Sequence, residues 1–259
     1  MSVTHPKQSG SLSITSYNIQ MTPFHATNQR LLHIVKELQD THTDIICLQE
    51  CFLQCVVDLL VDLLKHCGYV YSARDSENRN FLSSGLLILS KYPLEHVRCT
   101  VYTSSSFIDA LSDKAFLSCT VIAPTHQFRL VNTHLQSDYP FLKYTKIRCR
   151  QIQQLVKQLF QNDVSTDKNE LDIILCGDFN IDKNTNEYAH TLCSLRQNTS
   201  QYGCSTHVYR TPKLAYTFGT NELLDHFFLI ARRHSVYAAK QVRISNTFTH
   251  SDHKMITLG

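Results

Sequence analysis

Six short stretches of this sequence place an acid, an amide or an imidazole next to an apolar run. They are SYNIQ with Asn18, CLQEC with Glu50, VNTHLQ with His134, GDFNID with Asp178 and Asn180, ELLDHFF with Asp225, and HSDHK with Asp252 and His253. Any one of them is ordinary loop or strand-end chemistry, but packing alone does not explain all six. Because the ends of buried strands hold side chains rigidly at one edge of a fold, the pattern predicts a single polar site.

The residue types suit the hydrolysis of a phosphoester. A phosphodiester is anionic and repels nucleophiles, and a hard divalent cation with oxygen ligands neutralises that charge. Glu50 and Asn18 supply such oxygens. Hydrolysis also needs a base for water, and we expect His253 to be that base because the unperturbed pKa of histidine lies closest to neutrality.

The stretch GDFNID indicates how polar and apolar side chains are sorted at the end of a strand. Alternate residues of an extended segment share a face, so Asp178 and Asn180 are predicted to face the site. Phe179 and Ile181 then face the core. We expect Gly177 to allow a close approach of the backbone.

Strand-like and helix-like runs alternate along the chain. Strands are predicted at residues 12–19, 44–49, 85–90, 116–123, 128–134 and 171–176, near 215–218, and at 224–230 and 236–244. Helices are predicted over 31–38, 52–66 and 143–161, and a hairpin turn at Thr125 and His126. Hairpins mixed with strand-helix-strand units favour packed sheets with helices outside them over a doubly wound parallel sheet.

Length and charge narrow the class of protein. A chain of 259 residues with 42% hydrophobic content can bury a large core, so we expect one domain over 1–259 with residues 1–10 as a flexible tail. The net charge of +3 is too small to indicate a nucleic-acid or membrane partner. No secretory signal and no run of about 18 apolar residues is visible. We expect a cytoplasmic protein, peripheral to membranes at most, and secreted only if a leader has been removed.

The ten cysteines are predicted to be free thiols in a reducing compartment. Cys47, Cys119 and Cys176 lie inside apolar, strand-like runs, as small buried hydrophobic residues do. Cys51 and Cys55 are four residues apart on a predicted helix. Since no CxxC pair occurs, we do not expect a structural zinc cluster.

The order of the six stretches resembles the endonuclease/exonuclease/phosphatase superfamily, the metal-dependent phosphoesterases with the DNase I-like fold, from Asn18 to His253. The resemblance implies an α/β (α+β) fold: a four-layer sandwich of two packed mixed β-sheets flanked by helices. It implies that Glu50 is the principal Mg²⁺ ligand, with Asn18 beside it, and that Asp252 contributes to the same side or to a second metal. Mn²⁺ or Co²⁺ are implied as substitutes.

The resemblance also implies catalytic roles. It assigns Asp225 to fixing the tautomer of the base His253, and His134 to donating a hydrogen bond to the phosphate. Asp178 is assigned to orienting the attacking water or the neighbouring base. Asn180 is assigned to the phosphate or the metal shell.

Secondary motifs resemble neutral and bacterial sphingomyelinases within this superfamily. These motifs are QECF with Phe52, the stretch SSGLLILSKYPL, and Asp109 followed by Lys114. The resemblance assigns Asp109, Lys114 and Phe52 to substrate binding. Ala115 departs from the glycine that follows the lysine in that family. The chain also has no tryptophan, and residues 180–253 show no exposed aromatic run like the membrane-inserting hairpin of secreted bacterial sphingomyelinases.

These features predict a magnesium-dependent phosphodiesterase that cleaves sphingomyelin or a related choline phospholipid and releases phosphocholine. The expected partner is a phospholipid substrate at a membrane surface, with peripheral contact only. A DNA or RNA nuclease of the same fold is one alternative, although Arg74, Arg148 and Arg150 form no basic run. A binding or scaffold protein that has lost catalysis is another, although no expected catalytic position is substituted.

Overall fold

The structure is a computed structural model, and it describes residues 12–75, 82–106, 112–161, 171–212, 215–219, 221–232, 241–245 and 250–259. The predicted tail at 1–10, the substrate-binding candidate Asp109 and most of the predicted strand at 236–244 lie outside these residues. The assignment of a single domain stays a prediction.

The described residues form twelve strands and four helices. In chain order these are β1 (Ile14–Met21), α1 (Asn28–Thr41), β2 (Ile45–Cys51), α2 (Gln54–Lys65), β3 (Tyr71–Arg74), β4 (Leu87–Ser90), β5 (Leu94–Val101), β6 (Ala115–Ile122), β7 (Gln127–His134), α3 (Thr145–Gln161), β8 (Ile173–Asp178), α4 (Asn186–Ser200), β9 (Ser205–Val208), β10 (Asp225–Ala231), β11 (Val242–Ile244) and β12 (Ile256–Leu258).

The strands build two six-stranded mixed sheets. The first has the order β11-β12-β1-β2-β4-β3 and the second β5-β6-β7-β8-β10-β9. Only β1–β2 and β7–β8 are parallel among the strand pairs of the described residues. The chain crosses over between these parallel partners through α1 and α3, as parallel neighbours require.

One apolar core lies between the two sheets, and one lies on the outer face of each sheet. Buried side chains of both sheets, such as Ile14 and Leu117, form the central core. Helices α1 and α2 cover the first sheet, and α3 and α4 cover the second. The predicted four-layer sandwich with flanking helices is thereby confirmed.

Helix α1 shows why the sequence folds this way. Its buried residues Leu31, Ile34, Val35 and Leu38 recur at helical spacing and form one stripe against the sheet. The side chain of Thr27 accepts a hydrogen bond from the third following residue and caps the first turn.

Several elements differ from the sequence-based prediction. Residues 215–218 do not form a strand, and Phe218 makes only isolated bridges. The polar stretch after GDFNID, predicted as a loop, opens α4, whose first turn is capped by Thr185. The prediction also missed β3, β5 and β9. All three lie at a sheet edge, and most side chains of β5 are exposed or partly exposed. The predicted hairpin at Thr125 and His126 does connect β6 to β7.

None of the ten cysteines, all of which lie in the described part of the chain, forms a disulfide. Cys47, Cys119 and Cys176 lie in the central core, as predicted. Burial raises the pKa of the Cys47 and Cys119 thiols, so both stay protonated and apolar.

Gly177 sets the distance between β7 and β8. It pairs with Thr133 at φ +135°, and a Cβ added there would lie 2.0 Å from the carbonyl oxygen of Thr133. The predicted close approach of the backbone therefore occurs here. A side chain at this position would push β8, and Asp178 with it, away from β7.

We expect Gly177→Ala to lower the free energy of unfolding by roughly 3 kcal/mol or more, because the new methyl group meets backbone that cannot move aside cheaply. Urea denaturation measures this change. Gly203→Ala is the matched control, since Gly203 also has a positive φ but its Cβ would meet nothing within 4 Å. Equal losses in the two variants would contradict the role of the close approach.

Candidate active site

Strand register brings the predicted polar residues to one edge of the sandwich. His134 ends β7 and lies opposite Asp178, which ends the parallel strand β8. Asp225 begins the antiparallel strand β10 and also lies opposite Asp178. Asn18 and Glu50, on β1 and β2 of the other sheet, meet this row from across the sandwich. The site is therefore assembled from both sheets.

The amide of Asn18 joins two carboxylates. Its Nδ2 donates to Glu50 Oε1 at 2.9 Å and to Asp178 Oδ2 at 3.0 Å, while its Oδ1 accepts from the backbone N–H of Gln20 at 3.1 Å. Asn18 thus holds the two acids together through its nitrogen. The predicted role as an oxygen ligand would require this amide to turn over.

His253 and Asp225 form a buried pair. His253 Nδ1 lies 2.9 Å from Asp225 Oδ2, and its Nε2 lies 3.5 Å from Asp178 Oδ2. The Nδ1 proton is donated to Asp225, which leaves Nε2 facing the site. Burial alone would lower the pKa of His253, but Asp225 and Asp178 outweigh it and raise this pKa to about 10.

His134 has the opposite electrostatic environment. Its Nε2 lies 3.0 Å from Lys114 Nζ, and 3.6 Å from Asp178 Oδ2. A lysine ammonium only donates, so Nε2 accepts from it. Burial, and then the charge of Lys114, lower the pKa of His134 to about 3. His134 is therefore neutral, and donation to a phosphate through Nε2 would need its tautomer to change.

Asn180 and Asp252 complete the rim of the site. The backbone N–H of Asn180 donates to Asp178 Oδ1 at 2.9 Å, and its side chain donates to the carbonyl oxygen of Leu135 at 3.1 Å. Asp252 accepts a hydrogen bond of 2.8 Å from Gln20 Nε2. Asn180 is thus held by the residue that follows β7, and Asp252 by a residue of β1.

A cavity of about 580 Å³ opens at this site, and Asn18, Lys114, His134 and Asp225 are not among the residues that line it. Of the predicted site residues, Glu50, Asp178, Asn180, Asp252 and His253 line it.

Phe52 lies in the described part of the chain but does not line this cavity. It packs against Gly85, where an added Cβ would lie 2.8 Å from its ring and 3.2 Å from the Cα of Glu50. Phe52 therefore supports the backbone beneath Glu50, and a contact with substrate stays a prediction.

The donor set fits a divalent cation. Glu50 and Asp178 place two hard oxygen donors beside the same amide, and burial raises the pKa of Glu50. A bound cation would favour the ionised form of such a carboxylate. Asp178, Asp225 and His253 also have ligand atoms within 4.8 Å of one another. Because His253 and Asp225 are hydrogen-bonded to each other, the Glu50 side of Asp178 suits the cation better.

Sequence reasoning missed a polar link beneath the site. Gln49 Nε2 donates to Asn132 Oδ1 at 2.7 Å, and Asn132 Nδ2 donates to the carbonyl oxygen of Leu48 at 2.9 Å. Gln49 and Asn132 are fully buried and belong to different sheets. The signal was present, since each is a polar residue inside an apolar run that leads to a site residue.

The profile of the Endonuclease/Exonuclease/phosphatase family matches residues 15–253. The chain belongs to this family. Sphingomyelinase C 2 of Leptospira interrogans is 23% identical to it over 247 residues, which cover 84% of this chain and 39% of that protein. The chain thus spans about two fifths of the length of this relative.

Solved structures of sphingomyelinases share the fold. Sphingomyelinase C from Streptomyces griseocarneus has a TM-score of 0.74 and 18% identity, over 97% of this chain and 99% of its own. The beta toxin of Staphylococcus aureus, solved with bound magnesium ions as a double mutant, has a TM-score of 0.77 and 18% identity, over 96% and 99%. The resemblance to the superfamily and to its bacterial sphingomyelinases is thereby confirmed, while the roles of individual residues stay predictions.

We expect Asp225→Asn to lower the pKa of His253 well below 10. The substitution removes the strongest charge that favours the imidazolium, while burial, which lowers the pKa, is unchanged. NMR titration of the His253 ring in metal-free protein measures this pKa. Asp252→Asn is the control, since Asp252 raises the pKa least among the three carboxylates. An equal effect in both variants would contradict the pairing.

The same shift predicts the sign of a stability change. The pKa of folded His253 lies above its ordinary value of 6.5. Its protonated ring therefore stabilises the fold fully below about pH 6.5, and this contribution is lost as the pH rises toward 10. Asp225→Asn should reduce that part of the pH dependence of the free energy of unfolding, because Asp178 remains to favour the protonated ring.

Proposed function

We propose that this protein is a magnesium-dependent phosphodiesterase that hydrolyses sphingomyelin or a related choline phospholipid and releases phosphocholine. The observation that carries the proposal is the Asp225–His253 pair. The Nε2 atom of His253 faces Asp178, and both residues line the same cavity as Glu50. The similarity to proteins named sphingomyelinases supports the substrate, and the magnesium in the beta toxin structure supports the ion.

The first step is activation of water. His253 Nε2 takes the proton of a water molecule while Asp225 holds the other ring nitrogen and stabilises the imidazolium that forms. Asp178 lies on the Nε2 side of the ring and orients the water. His253 is a base only in its neutral form, and that form is favoured when the charge of Asp178 is balanced.

Glu50 and Asp178 are the residues that would hold the magnesium ion. When bound, the ion supplies positive charge that offsets the charge developing on the phosphoryl and leaving oxygens. Asn18 keeps the two carboxylates in place through its shared amide.

His134, Lys114 and Asn180 form the side of the site that stabilises the transition state. The Lys114 ammonium is a buried positive charge 3.0 Å from His134 Nε2. A phosphoryl oxygen beside this pair would meet a fixed cation in a setting with little water, where electrostatic stabilisation is strong. The water oxygen bonds to phosphorus as the bond from phosphorus to the lipid oxygen breaks.

The charge of the cavity favours a cationic headgroup. Beyond the catalytic set, its lining includes two cations: Lys143 pairs with Asp138, and Arg148 pairs with Asp138 and Glu187. It also includes four further carboxylates and three aromatic rings: Asp138, Asp182, Glu187, Glu222, Tyr139, Phe141 and Phe218. A quaternary ammonium such as choline is attracted by both kinds of group. A polyanionic nucleic acid would be repelled by the acids.

Two of the three arginines considered for a nuclease are held in ion pairs with carboxylates. Arg148 is fully buried and pairs with Asp138 at 2.8 Å and with Glu187 at 2.6 Å. Arg74 lies 3.6 Å from Asp58. These contacts favour the lipid phosphodiesterase over the nuclease alternative.

We also propose that the protein is cytoplasmic and binds its lipid substrate at a membrane surface. Ten cysteines without a disulfide among them support a reducing compartment. Within the residues that the structure describes, no helix is long and apolar enough to cross a membrane.

A substrate panel tests the proposal. We expect sphingomyelin to be cleaved in the presence of magnesium, and lysophosphatidylcholine, plasmid DNA and inositol phosphates to be cleaved far more slowly or not at all. The measurement is product release with and without the metal. Cleavage of DNA but of no lipid would favour the nuclease, and no turnover of any phosphoester with metal bound would favour the scaffold.

We expect His253→Ala to reduce kcat by roughly 10²–10⁴-fold, because the base is lost while the fold remains. Steady-state kinetics and circular dichroism measure the two effects. His207→Ala, at an exposed histidine on β9, is the control. Retained activity in His253→Ala would overturn the assignment of the base.

We expect Glu50→Gln to weaken magnesium binding by about tenfold or more, because a charged ligand becomes neutral. Calorimetric titration of magnesium into substrate-free protein measures this affinity. Glu222→Gln removes a carboxylate of the same cavity that is outside the proposed ligand set, and should leave the affinity nearly unchanged. Equal affinities in wild type and Glu50→Gln would show that the ion binds elsewhere.

A further inference from the structure

Two phenylalanines of the described residues project fully into solvent. Phe141 exposes 104% of its reference area and Phe24 exposes 94%, whereas the next most exposed large hydrophobic residue, Val70, exposes 56%. Single exposed apolar residues are normal on a protein surface, but a side chain with its whole area in water gains nothing from packing. Both positions therefore call for a physical explanation.

Phe141 lies at the tip of a tight turn formed by Tyr139–Leu142. The backbone N–H of Tyr139 donates to the carbonyl oxygen of Leu142 at 3.1 Å, and the reverse bond measures 2.9 Å. Phe141 itself has φ +67°, a conformation that is unfavourable for an aromatic residue. The chain thus holds a strained backbone that displays a phenylalanine and gains no packing from it.

The base of this turn is rigid. Asp138 accepts a 2.8 Å hydrogen bond from the backbone N–H of Tyr144, so the two ends of the segment are joined. Arg148 binds Asp138 and also Glu187 of α4, which ties the turn to two helices. A turn that is fixed in this way presents Phe141 at a defined height above the protein surface.

Both phenylalanines lie at the end of the sandwich that carries the site. Phe141 is at the rim of the catalytic cavity. Phe24 follows β1, shortly after Gln20, whose side chain binds the rim residue Asp252. Val70 lies at the opposite end, because it precedes Tyr71, which pairs with Ser90 far from the site end of β4.

Positive charge continues from the turn along α3. Lys146 and Arg150 are exposed and lie four residues apart on one side of α3, and Lys143, exposed just before the helix, lies 3.1 Å from Asp138. Such a basic strip complements the negative surface of a bilayer that contains anionic lipids. A convex apolar tip beside exposed basic residues also matches the way interfacial segments insert into the headgroup region.

We propose that the Tyr139–Leu142 turn, together with Phe24, is the surface by which this protein docks on a lipid bilayer containing anionic lipid. Docking through these residues turns the mouth of the cavity toward the lipid headgroups. The inference rests on the proposed function, because it explains how a lipid phosphodiester reaches the site. It locates peripheral membrane contact in loops after β1 and β7, outside the 180–253 interval.

The absence of tryptophan from the chain gives a direct probe. In Phe141→Trp the single indole should shift its emission to the blue and gain intensity with vesicles of phosphatidylcholine, sphingomyelin and phosphatidylserine. The matched control is Val70→Trp, at the far end of the sandwich, whose emission should not change. An unchanged spectrum in Phe141→Trp, or equal shifts in the two variants, would overturn the proposal.

Loss of the apolar contact provides the second measurement. Phe141→Asn keeps a residue that tolerates positive φ, so its thermal midpoint should equal or exceed that of the wild type. Its partition onto these vesicles in co-sedimentation should fall by about tenfold or more, since burial of one phenylalanine is lost. Unchanged partition would overturn the proposal.

Phe24→Ser separates docking from catalysis, because Phe24 does not belong to the proposed catalytic set. Its turnover of monomeric p-nitrophenylphosphorylcholine should match that of wild type, while its hydrolysis of vesicle sphingomyelin should fall. Equal hydrolysis of vesicles by the two proteins would count against the role of Phe24 in docking.

The outcomes distinguish this inference from the proposed function. Vesicle binding that depends on Phe141, with no turnover of either choline substrate, would support docking and overturn the proposed reaction. Turnover of the monomeric substrate with no vesicle binding would support the proposed reaction and overturn docking. Self-association that Phe141→Asn abolishes, without binding to vesicles, would show that the turn contacts a second copy of the protein and would overturn docking on lipid.

Discussion

The site depends on one amide group that joins carboxylates from two different sheets. Asn18 Nδ2 donates to Glu50 within the first sheet and to Asp178 in the second. Hydrogen bonds to charged groups are strong only while their geometry is kept, so the distance between the sheets determines whether the two acids stay together. Beneath them, the buried bond between Gln49 and Asn132 fixes the same distance. The central core therefore positions the chemistry as well as stabilising the fold.

Two histidines beside the same acid have opposite pKa shifts because each ring has a different second neighbour. Asp178 lies close to both rings. Burial lowers the pKa of both rings. At His253 the charges of Asp225 and Asp178 outweigh burial and the pKa rises, whereas at His134 the charge of Lys114 adds to burial and the pKa falls. One edge of the sandwich thus holds an imidazole that readily accepts a proton and another that stays neutral. Two such groups can divide acid-base work and charge stabilisation between them.

Sequence patterns predicted features that depend on local periodicity. The helical stripe of α1, the alternation that buries Phe179 and Ile181, and the need for Gly177 are all properties of a few adjacent residues. The pairing of Lys114 with His134 depends instead on the register between β6 and β7, which places the two residues side by side. The direction of the Asn18 amide depends on a bulge near Gln20. No single stretch contains this information.

The sequence-based prediction of β5 and of the start of α4 was wrong for a similar reason. In β5, most side chains are exposed, so the strand has no apolar alternation to reveal it and forms because β6 provides a backbone partner. The opening of α4 has few apolar residues, and its helix is set by the Thr185 cap and by packing against α3. Where tertiary contact supplies the stabilisation, composition underestimates regular structure.

Backbone strain is concentrated where the chain presents functional groups. Among the described residues, six other than glycine have positive φ, and four of them lie at the site end: Gln20, Glu50, Phe141 and Asn180. Glu50 and Asn180 line the cavity, and the N–H of Gln20 holds the Asn18 oxygen. Such conformations persist only where surrounding contacts determine them, and they re-aim side chains that a regular strand would send to its two faces. Phe141 belongs to the same group, although its side chain touches no core, and a strained residue without packing is best explained by a partner that the isolated protein lacks.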